Sequence, residues 1–304
     1  MKKNNTSPPR RAWFALIAAV LAVAAYFLYP LVQEKRALAR LEEAGWLWSP
    51  DTRTLSKRKA GSEAIQNLDG VSLVLKYINP RNLDLTGCTG LTAVEHLPAD
   101  LLTLNLFGCT GLTAVEHLPA GLHILNLRYC TGLTAVEHLP AGLPVLWLSG
   151  CTGLSAVDHL PEGLEDLSLF GCTGLTAVER LPAGFQKLRL DGCTGLTAVD
   201  HLPAGLQILD LHGCTGLTAV EHLPADLQTL YLSDCTGLTA VERLPQRLLN
   251  LDVWRCGKLV RLGPLPKGLK CVDARGCPML DEETRGRLRE WAGGEKKGSR
   301  TLIE

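Results

Sequence analysis

The chain has 304 residues, of which 46% are hydrophobic and 20% are charged, so it has ample apolar material for a core and is not disordered as a whole. Its 31 Lys and Arg residues equal its 31 Asp and Glu residues in number, which argues against a strongly basic nucleic-acid-binding protein. The 11 cysteines are an odd number and cannot all pair in disulfides within one chain. Composition thus indicates a folded protein and names no reaction.

The first predicted element is an uncharged hydrophobic segment at residues 12–32, which follows a basic tail at residues 1–11. A helix of that length rises about 31 Å, which matches the hydrocarbon core of a bilayer. Trp13 lies near one end and Tyr29 near the other, as expected of residues at the two membrane interfaces. The pattern predicts a transmembrane helix over 12–32.

A cleaved signal peptide is the alternative for this segment, because Ala22, Val23 and Ala24 resemble a small-x-small cleavage site. Apolar residues continue to Val32, which favours a retained anchor. Positive charges flank the segment almost equally, so the positive-inside rule decides little. The short basic tail is hard to translocate, whereas free thiols favour a reducing compartment. We expect a single-pass protein of the inner cell membrane with its repeat domain outside the cytoplasm.

Two regions are predicted between the hydrophobic segment and the repeats. Residues 33–60 read as a helix close to the membrane that stops at Gly45, followed by an irregular basic linker from Trp46 to Lys59. Residues 61–82 contain apolar residues such as Leu68, and we expect them to cover the open N-terminal edge of the repeat array as an N-terminal cap.

A 21-residue repeat organises residues 83–280 into about ten units. Each unit contains L-x-L-x-x-C, or a close variant of it, as in residues 104–109. Alternating leucines predict a short strand with one buried face, and a proline in the return leg excludes a full helix there. One unit cannot bury its own leucines, so stacked units are expected to share one core. The in-phase cysteines are Cys88, Cys109, Cys130, Cys151, Cys172, Cys193, Cys214, Cys235, Cys256 and Cys277.

The pattern L-x-L-x-x-C-x-x-L with a trailing L-P-x-x-L resembles the leucine-rich repeat, in particular its short bacterial class with an L-P motif. This resemblance implies an α/β repeat solenoid: a leucine-rich-repeat arc with parallel β-strands on the concave face and an extended or 3-10 convex side. The N-terminal transmembrane helix completes the predicted fold class. Cysteine stands where that class usually carries asparagine at the turn, which is a departure from the family pattern.

The C-terminal end of the array also carries a helix signal. Asp281 can cap a helix in which acidic residues precede basic ones, an order that complements the helix dipole. We therefore predict a C-terminal capping helix over residues 281–292. Residues 293–304 are predicted to be a flexible tail.

Two positions of the unit vary along the chain while the rest scarcely changes: the residue between the strand leucines and the residue directly after them. Strand alternation places both outside the core, on the concave side of the arc. Aromatic residues and arginine anchor protein interfaces, and charges of both signs argue against nucleic acid. A protein partner is therefore expected, with a glycan as the alternative. The predicted partner-binding residues are Phe107, Arg128, Trp147, Phe170, Arg189, Asp210, Tyr231, Asp252 and Trp254.

No motif for catalysis is found in the sequence, which lacks G-x-x-x-x-G-K-[ST], H-E-x-x-H and G-x-S-x-G. Each in-phase cysteine stands alone in its unit, whereas zinc needs converging ligands. Histidines beside carboxylates recur in nearly every unit, which is typical of a scaffold. We predict a membrane-anchored, non-enzymatic binding protein without cofactor or metal. The alternatives are an envelope scaffold that binds cell-wall glycan and a secreted effector that binds host proteins.

Overall fold

The computed structural model describes residues 32–33, 35–36, 38–39, 41–43, 45–57, 68–178, 181–293 and 301–303. The predicted basic tail, and the predicted transmembrane segment except for Val32, lie outside these residues. The described residues between 32 and 43 are helical. In the part of the chain that is described, no helix combines the length and the apolar composition needed to cross a bilayer.

Two further helices and fifteen short strands follow among the described residues. The helices are α1 (Asp69–Ile78) and α2 (Glu282–Gly293). The strands are β1 (Trp46–Ser49), β2 (Thr54–Lys57), β3 (Asn82–Asp84), β4 (Thr103–Asn105), β5 (Ile124–Asn126), β6 (Val145–Trp147), β7 (Asp166–Ser168), β8 (Lys187–Arg189), β9 (Ile208–Asp210), β10 (Thr229–Tyr231), β11 (Ala240–Val241), β12 (Asn250–Asp252), β13 (Arg261–Leu262), β14 (Cys271–Asp273) and β15 (Thr301–Ile303).

Thirteen of the described strands form one sheet in the order β1-β2-β3-β4-β5-β6-β7-β8-β9-β10-β12-β14-β15. From β2 onward each strand pairs in parallel with the next, and within the array the register advances by one repeat, as where Leu104 lies opposite Leu125. Strands β11 and β13 form a separate parallel pair in the return legs of neighbouring units. The chain is therefore a solenoid of parallel strands.

The core is a ladder of leucines shared between units. In β4 the central Leu104 is fully buried while Thr103 and Asn105 are half-buried, and the same pattern recurs in most strands of the array. The second strand leucine and the apolar residues of the return leg, such as Leu112, are also buried. Because full burial of one such side chain stabilises the fold by about 1.5–3 kcal/mol, the stacked units hold one another together.

The prediction of an irregular linker is wrong for residues 46–57. They form an antiparallel hairpin of β1 and β2. Strand β2 pairs with β3, so that Leu55 lies opposite Leu83. Trp46 and Leu55 are buried. Without the hairpin, β3 would leave a row of unpaired backbone groups at the edge of the sheet, and β2 satisfies them.

In the region 61–82, predicted to be the N-terminal cap of the array, the structure describes residues 68–82. Its described part contains α1, which connects the hairpin to β3 and buries Leu75 and Ile78 against the core. The helix ends at Asn79, which adopts a left-handed conformation and donates its N–H to the carbonyl of Leu75. Helix α1 thus packs at the end of the core while the hairpin extends the sheet.

At the other end, α2 begins and ends one residue later than the predicted span 281–292. The Asp281 carboxylate accepts the backbone N–H of Thr284 at 2.7 Å, and Leu288 and Trp291 are buried. The predicted flexible tail at 293–304 needs a correction, because Gly293 ends α2 and β15 pairs with β14. The physical reason is again the sheet edge, since β14 would otherwise have no partner on its outer side.

Candidate binding surface

The candidate site lies on the side of the strand ladder that points away from the core, which we call the outer face. Three positions of each unit build it. The first outer position follows the central strand leucine, the second outer position follows the next buried residue, and the turn position comes directly after that. In the second unit these are Asn105, Phe107 and Gly108.

All nine predicted partner-binding residues lie at first or second outer positions. Phe107, Phe170, Arg189 and Tyr231 are exposed, and the other five are half-buried. The structure brings two of the nine into direct side-chain contact: the guanidinium of Arg128 lies 4.1 Å from the centroid of the Trp147 ring. The remaining residues are spread along the ladder at the spacing of the strands.

The first outer position has a structural role in six units. Its Asp or Asn carries an Oδ1 atom that accepts the backbone N–H of the second outer residue, at 2.9–3.2 Å. This local bond closes the turn after the strand. Asp210 and Asp252, both predicted to bind a partner, are among these residues, so their presence is explained by the scaffold alone. The six are Asp84, Asn105, Asn126, Asp210, Asp252 and Asp273.

The other four units replace this residue with Trp147, Ser168, Arg189 and Tyr231. Ser168 instead shares a hydrogen bond with Ser149, at 2.6 Å between the two hydroxyl oxygens. The three large side chains cannot accept the turn N–H. A function is expected at positions where the side chain no longer makes the hydrogen bond that closes the turn. Trp147, Arg189 and Tyr231 are therefore the strongest of the predicted contact residues at this position.

The turn position carries a contact residue that the sequence reasoning missed. Seven units have glycine there, with φ between 68° and 75°, but the third unit has Tyr129 with φ 58°. A bulky residue in the left-handed region is a backbone outlier. Asp234 and Arg255 break the same rule, and they are joined by an ion pair of 3.4 Å. The missed signal was the loss of glycine at this position.

Tyr129 belongs to a row of rings in four successive units, which we call the aromatic stretch: Phe107, Tyr129, Trp147 and Phe170. The rings of Phe107 and Tyr129 meet edge to face, with their centroids 5.2 Å apart. The Tyr129 ring lies over Gly150, where an added Cβ would be 2.6 Å from Tyr129 Cδ1. Tyr129 and Phe170 are each nearly half exposed.

Charges on the outer face differ between its two halves. Arg255 pairs with Asp234, and Arg275 pairs with Asp273 at 2.6 Å, which lowers the pKa of that carboxyl. In contrast, Arg128, Lys187 and Arg189 form no ion pair with any residue that the structure describes. Unpaired cations therefore accompany the aromatic stretch, whereas the last units neutralise theirs.

A carboxylate, an imidazole and a hydroxyl stand in one row of second outer positions: Asp191, His212 and Ser233. The His212 Nδ1 and Ser233 Oγ atoms are 2.8 Å apart. However, Asp191 Oδ1 is buried without a hydrogen-bond partner, and burial together with Asp210 raises the pKa of this carboxyl. Ser233 is 5% exposed. The three groups therefore do not form the connected relay that activates a serine nucleophile.

The in-phase cysteines are buried and free. From Cys109 to Cys277 each thiol donates to a carbonyl 24 residues earlier, as where Cys172 Sγ lies 3.2 Å from the oxygen of Leu148. Burial raises the pKa of the Cys172 thiol to about 11. No group of three or more His, Cys, Asp or Glu residues among those described is placed to hold a metal ion. The cysteines thus link neighbouring units through the backbone.

The histidines of the return legs have a backbone explanation. His96, His117, His138, His159, His201 and His222 all adopt left-handed φ values of 53–58°. Histidine is one of the residues enriched in that region. Two of these histidines face carboxylates, with His222 Nδ1 3.7 Å from an Asp200 oxygen, but both pairs are exposed to solvent and contribute little stability.

Comparison with known proteins identifies neighbours by fold only. No protein-family model matches the chain, and no curated protein sequence matches it. YopM from Yersinia enterocolitica is 22% identical, with 64% of this chain and 55% of that chain covered and a TM-score of 0.39. The leucine-rich repeat protein TpLRR of T. pallidum is 18% identical, with 84% and 96% covered and a TM-score of 0.29. A leucine-rich repeat protein from Eubacterium ventriosum is 12% identical, with 76% and 92% covered and a TM-score of 0.35.

The chain therefore spans about half the length of the Yersinia protein that it matches. These neighbours are bacterial, and two of them are named as leucine-rich repeat proteins. All three TM-scores are low, so the description of this chain as a solenoid of parallel strands rests on its own strand register.

Proposed function

We propose that this chain is a non-catalytic leucine-rich-repeat scaffold that binds a protein partner through its outer face. One observation carries the proposal: large side chains replace scaffold residues at selected outer positions. Trp147, Arg189 and Tyr231 stand where other units use Asp or Asn to close the turn, and Tyr129 stands where other units use glycine. A substitution that forfeits a local hydrogen bond or strains the backbone is expected where a ligand supplies the compensating gain.

The chemistry of these residues favours a protein as the ligand. Tyr, Trp and Arg are enriched among residues that dominate binding energy at protein interfaces. The relay that a serine hydrolase needs is missing from the Asp191, His212 and Ser233 row. A binding surface therefore accounts for the outer face better than an active site does.

We propose further that residues 12–32 anchor the protein in the inner membrane with the repeats outside the cytoplasm. The support is the uncharged hydrophobic sequence of this segment and the short basic tail before it. A C-terminal alkaline phosphatase fusion, combined with membrane fractionation, tests this topology. An active fusion in the membrane fraction is expected, and an inactive membrane-bound fusion would reverse the orientation.

Site-specific photocrosslinking in the producing cells tests the binding proposal. A benzophenone amino acid replaces Phe170 or Tyr231, which are exposed aromatic residues on the outer face. The matched control places it at Glu221, an exposed residue of a return leg. Discrete crosslinked proteins are expected from the outer face alone. The same products from Glu221, or none from either outer position, would contradict the proposal.

A further inference from the structure

We propose that the aromatic stretch binds an acidic protein segment that also carries apolar side chains. This inference rests on the proposed function and deepens it, because it assigns the contact centre to the second to fifth units and states the chemistry of the partner. Two halves of one outer face are thereby distinguished: the aromatic stretch with its unpaired cations, and the last units with their internal ion pairs.

The apolar surface is built around the Tyr129 ring, which neighbouring units hold in place. Tyr129 is held in the left-handed region with its ring against Phe107 and over Gly150. Because Gly150 has no Cβ, the Tyr129 ring lies flat across the fourth unit instead of projecting freely. A ring fixed on both sides loses little side-chain entropy on binding, which favours its use as an anchor.

Positively charged side chains lie beside the aromatic stretch. Arg128 stacks on Trp147, and Lys187 and Arg189 follow Phe170 in the next unit, all three without an ion-pair partner among the described residues. One nearby carboxylate is already engaged. Asp166 accepts the Trp147 ring N–H at 3.0 Å. A partner that supplies carboxylates would complement this half of the face.

Two further carboxylates, Glu165 and Asp191, lie near these cations. Glu165 is exposed directly before β7. Asp191 is half-buried near Arg189; burial raises the pKa of its carboxyl, whereas the positive charge of Arg189 lowers it. Neither forms an ion pair with the three cations, so these cations stay available to a ligand.

The polar side chains beside the rings favour a protein ligand over a glycan. Sugar hydroxyls need hydrogen-bond acceptors as well as donors beside the rings, and the three unpaired cations can only donate. Here the polar side chains bond to one another: Asn126 donates to Asn105 at 2.9 Å, and Ser149 shares a hydrogen bond with Ser168. Phe107 and Phe170 have no polar group to offer. Apolar side chains of a peptide therefore match the rings better than sugar hydroxyls do.

The size of the segment follows from the strand spacing. Phe107 and Phe170 are three units apart, which corresponds to about 14 Å along the sheet at about 4.8 Å per strand. An extended peptide covers that distance with about five residues, and a helix with about ten. A segment of twelve residues is therefore long enough to span the aromatic stretch in either conformation.

Selection from a random twelve-residue peptide library on the full chain, kept in mild detergent, tests the inference. We expect enriched peptides to combine Asp or Glu with aromatic or aliphatic residues. Tyr129→Gly removes the ring while restoring the residue usual at that turn, and Arg128→Ser with Arg189→Ser removes two of the three unpaired cations. Each variant should weaken binding of the enriched peptides about tenfold or more. Phe170→Ser is the second ring variant, in case Tyr129→Gly fails to fold.

Tyr231→Ser with Trp254→Ser tests the other half of the outer face. The matched control is Tyr77→Ser with Arg243→Ser, an exposed ring of α1 and an exposed cation of a return leg, which should leave peptide affinity within about twofold. Enrichment of basic peptides, no enrichment, or preference for a sulfated glycan probe over peptides would overturn the inference. Peptides lost only in the Tyr231→Ser with Trp254→Ser variant would also overturn it while leaving the proposed function intact. Peptides that no outer-face variant affects would contradict both.

Discussion

At the scale of single residues, the in-phase cysteines tie each unit to the one before it. The oxygen of Leu148 accepts two hydrogen bonds: the backbone N–H of Cys151 at 3.1 Å and the thiol of Cys172 at 3.2 Å. The first bond closes the turn within one unit, and the second joins it to the next. A small side chain with a weak donor therefore serves the stacking of units as well as the filling of the core.

Burial of the in-phase thiols should make them poorly reactive towards alkylating reagents. Burial raises the pKa of Cys172 to about 11 and of Cys193 to about 12, so little thiolate exists at pH 8. Cys271 lies outside the in-phase row and is partly exposed. We expect iodoacetamide to add one group at most to the native chain, at Cys271, and eleven after denaturation, as read by intact mass spectrometry.

The Cys271→Ser variant is the control for this measurement and should remain unlabelled while native. Several adducts on the native wild-type chain would show that the array opens far more readily than its buried core implies.

At the scale of secondary-structure elements, each end of the array is closed by an element of its own. Strands β1 and β2 extend the sheet at one end, and α2 with β15 closes the other. Helix α2 is fixed by its first turn: Asp281 accepts the N–H of Thr284, and the Thr284 side chain is buried beneath it. Closed ends are what a solenoid needs to keep its shared core out of water.

The cap of α2 gives a prediction with a defined pH dependence. Hydrogen bonds from Thr284 lower the pKa of Asp281 below its usual 3.8, so the carboxylate stabilises the folded state above that pH. This contribution is lost as pH falls through the lowered pKa. We expect Asp281→Ala to melt below the wild type at pH 7, with the gap closing as pH falls below 3.8.

Circular dichroism melts of both proteins from pH 7 downward provide the measurement, and Asp281→Asn, which keeps a capping oxygen, is the control. A gap that stays constant over the whole pH range would contradict the role of the charged carboxylate.

At the scale of the whole molecule, stability is a sum of contacts between neighbours. Each strand of the array pairs only with the units before and after it, and most of the buried leucines lie between adjacent units. Damage at one end should therefore spread inward over a short distance instead of unfolding the array at once.

Leu55→Ala tests this view at the hairpin, because Leu55 is fully buried against the first unit. Loss of such a side chain costs about 2–5 kcal/mol. In hydrogen-exchange mass spectrometry we expect faster exchange in β2, β3 and β4 and unchanged exchange in β12 and β14. Leu47→Ala is the matched control, since Leu47 is exposed on the same hairpin. Equal acceleration in every unit would contradict coupling between neighbours.

Much of this architecture could be predicted from the sequence because the same pattern of buried and turn residues recurs in about ten units. The strand leucines, the buried cysteines and the capping Asp281 are set by local spacing and by residue chemistry. The hairpin at 46–57 and strand β15 were missed because each is too short to form alone. They become strands only because β3 and β14 present unpaired edges to them.

The candidate site shows the same division. The sequence by itself determined which positions vary, and hence that Trp147 and Tyr231 lie outside the core. Only the tertiary structure decided which variable residues have a scaffold role, because Asp210 and Asp252 accept turn N–H groups that no sequence pattern identifies. It also revealed Tyr129, whose ring packs on residues of two other units. Local pattern fixes which residues face outward, whereas contacts between units decide what each one does there.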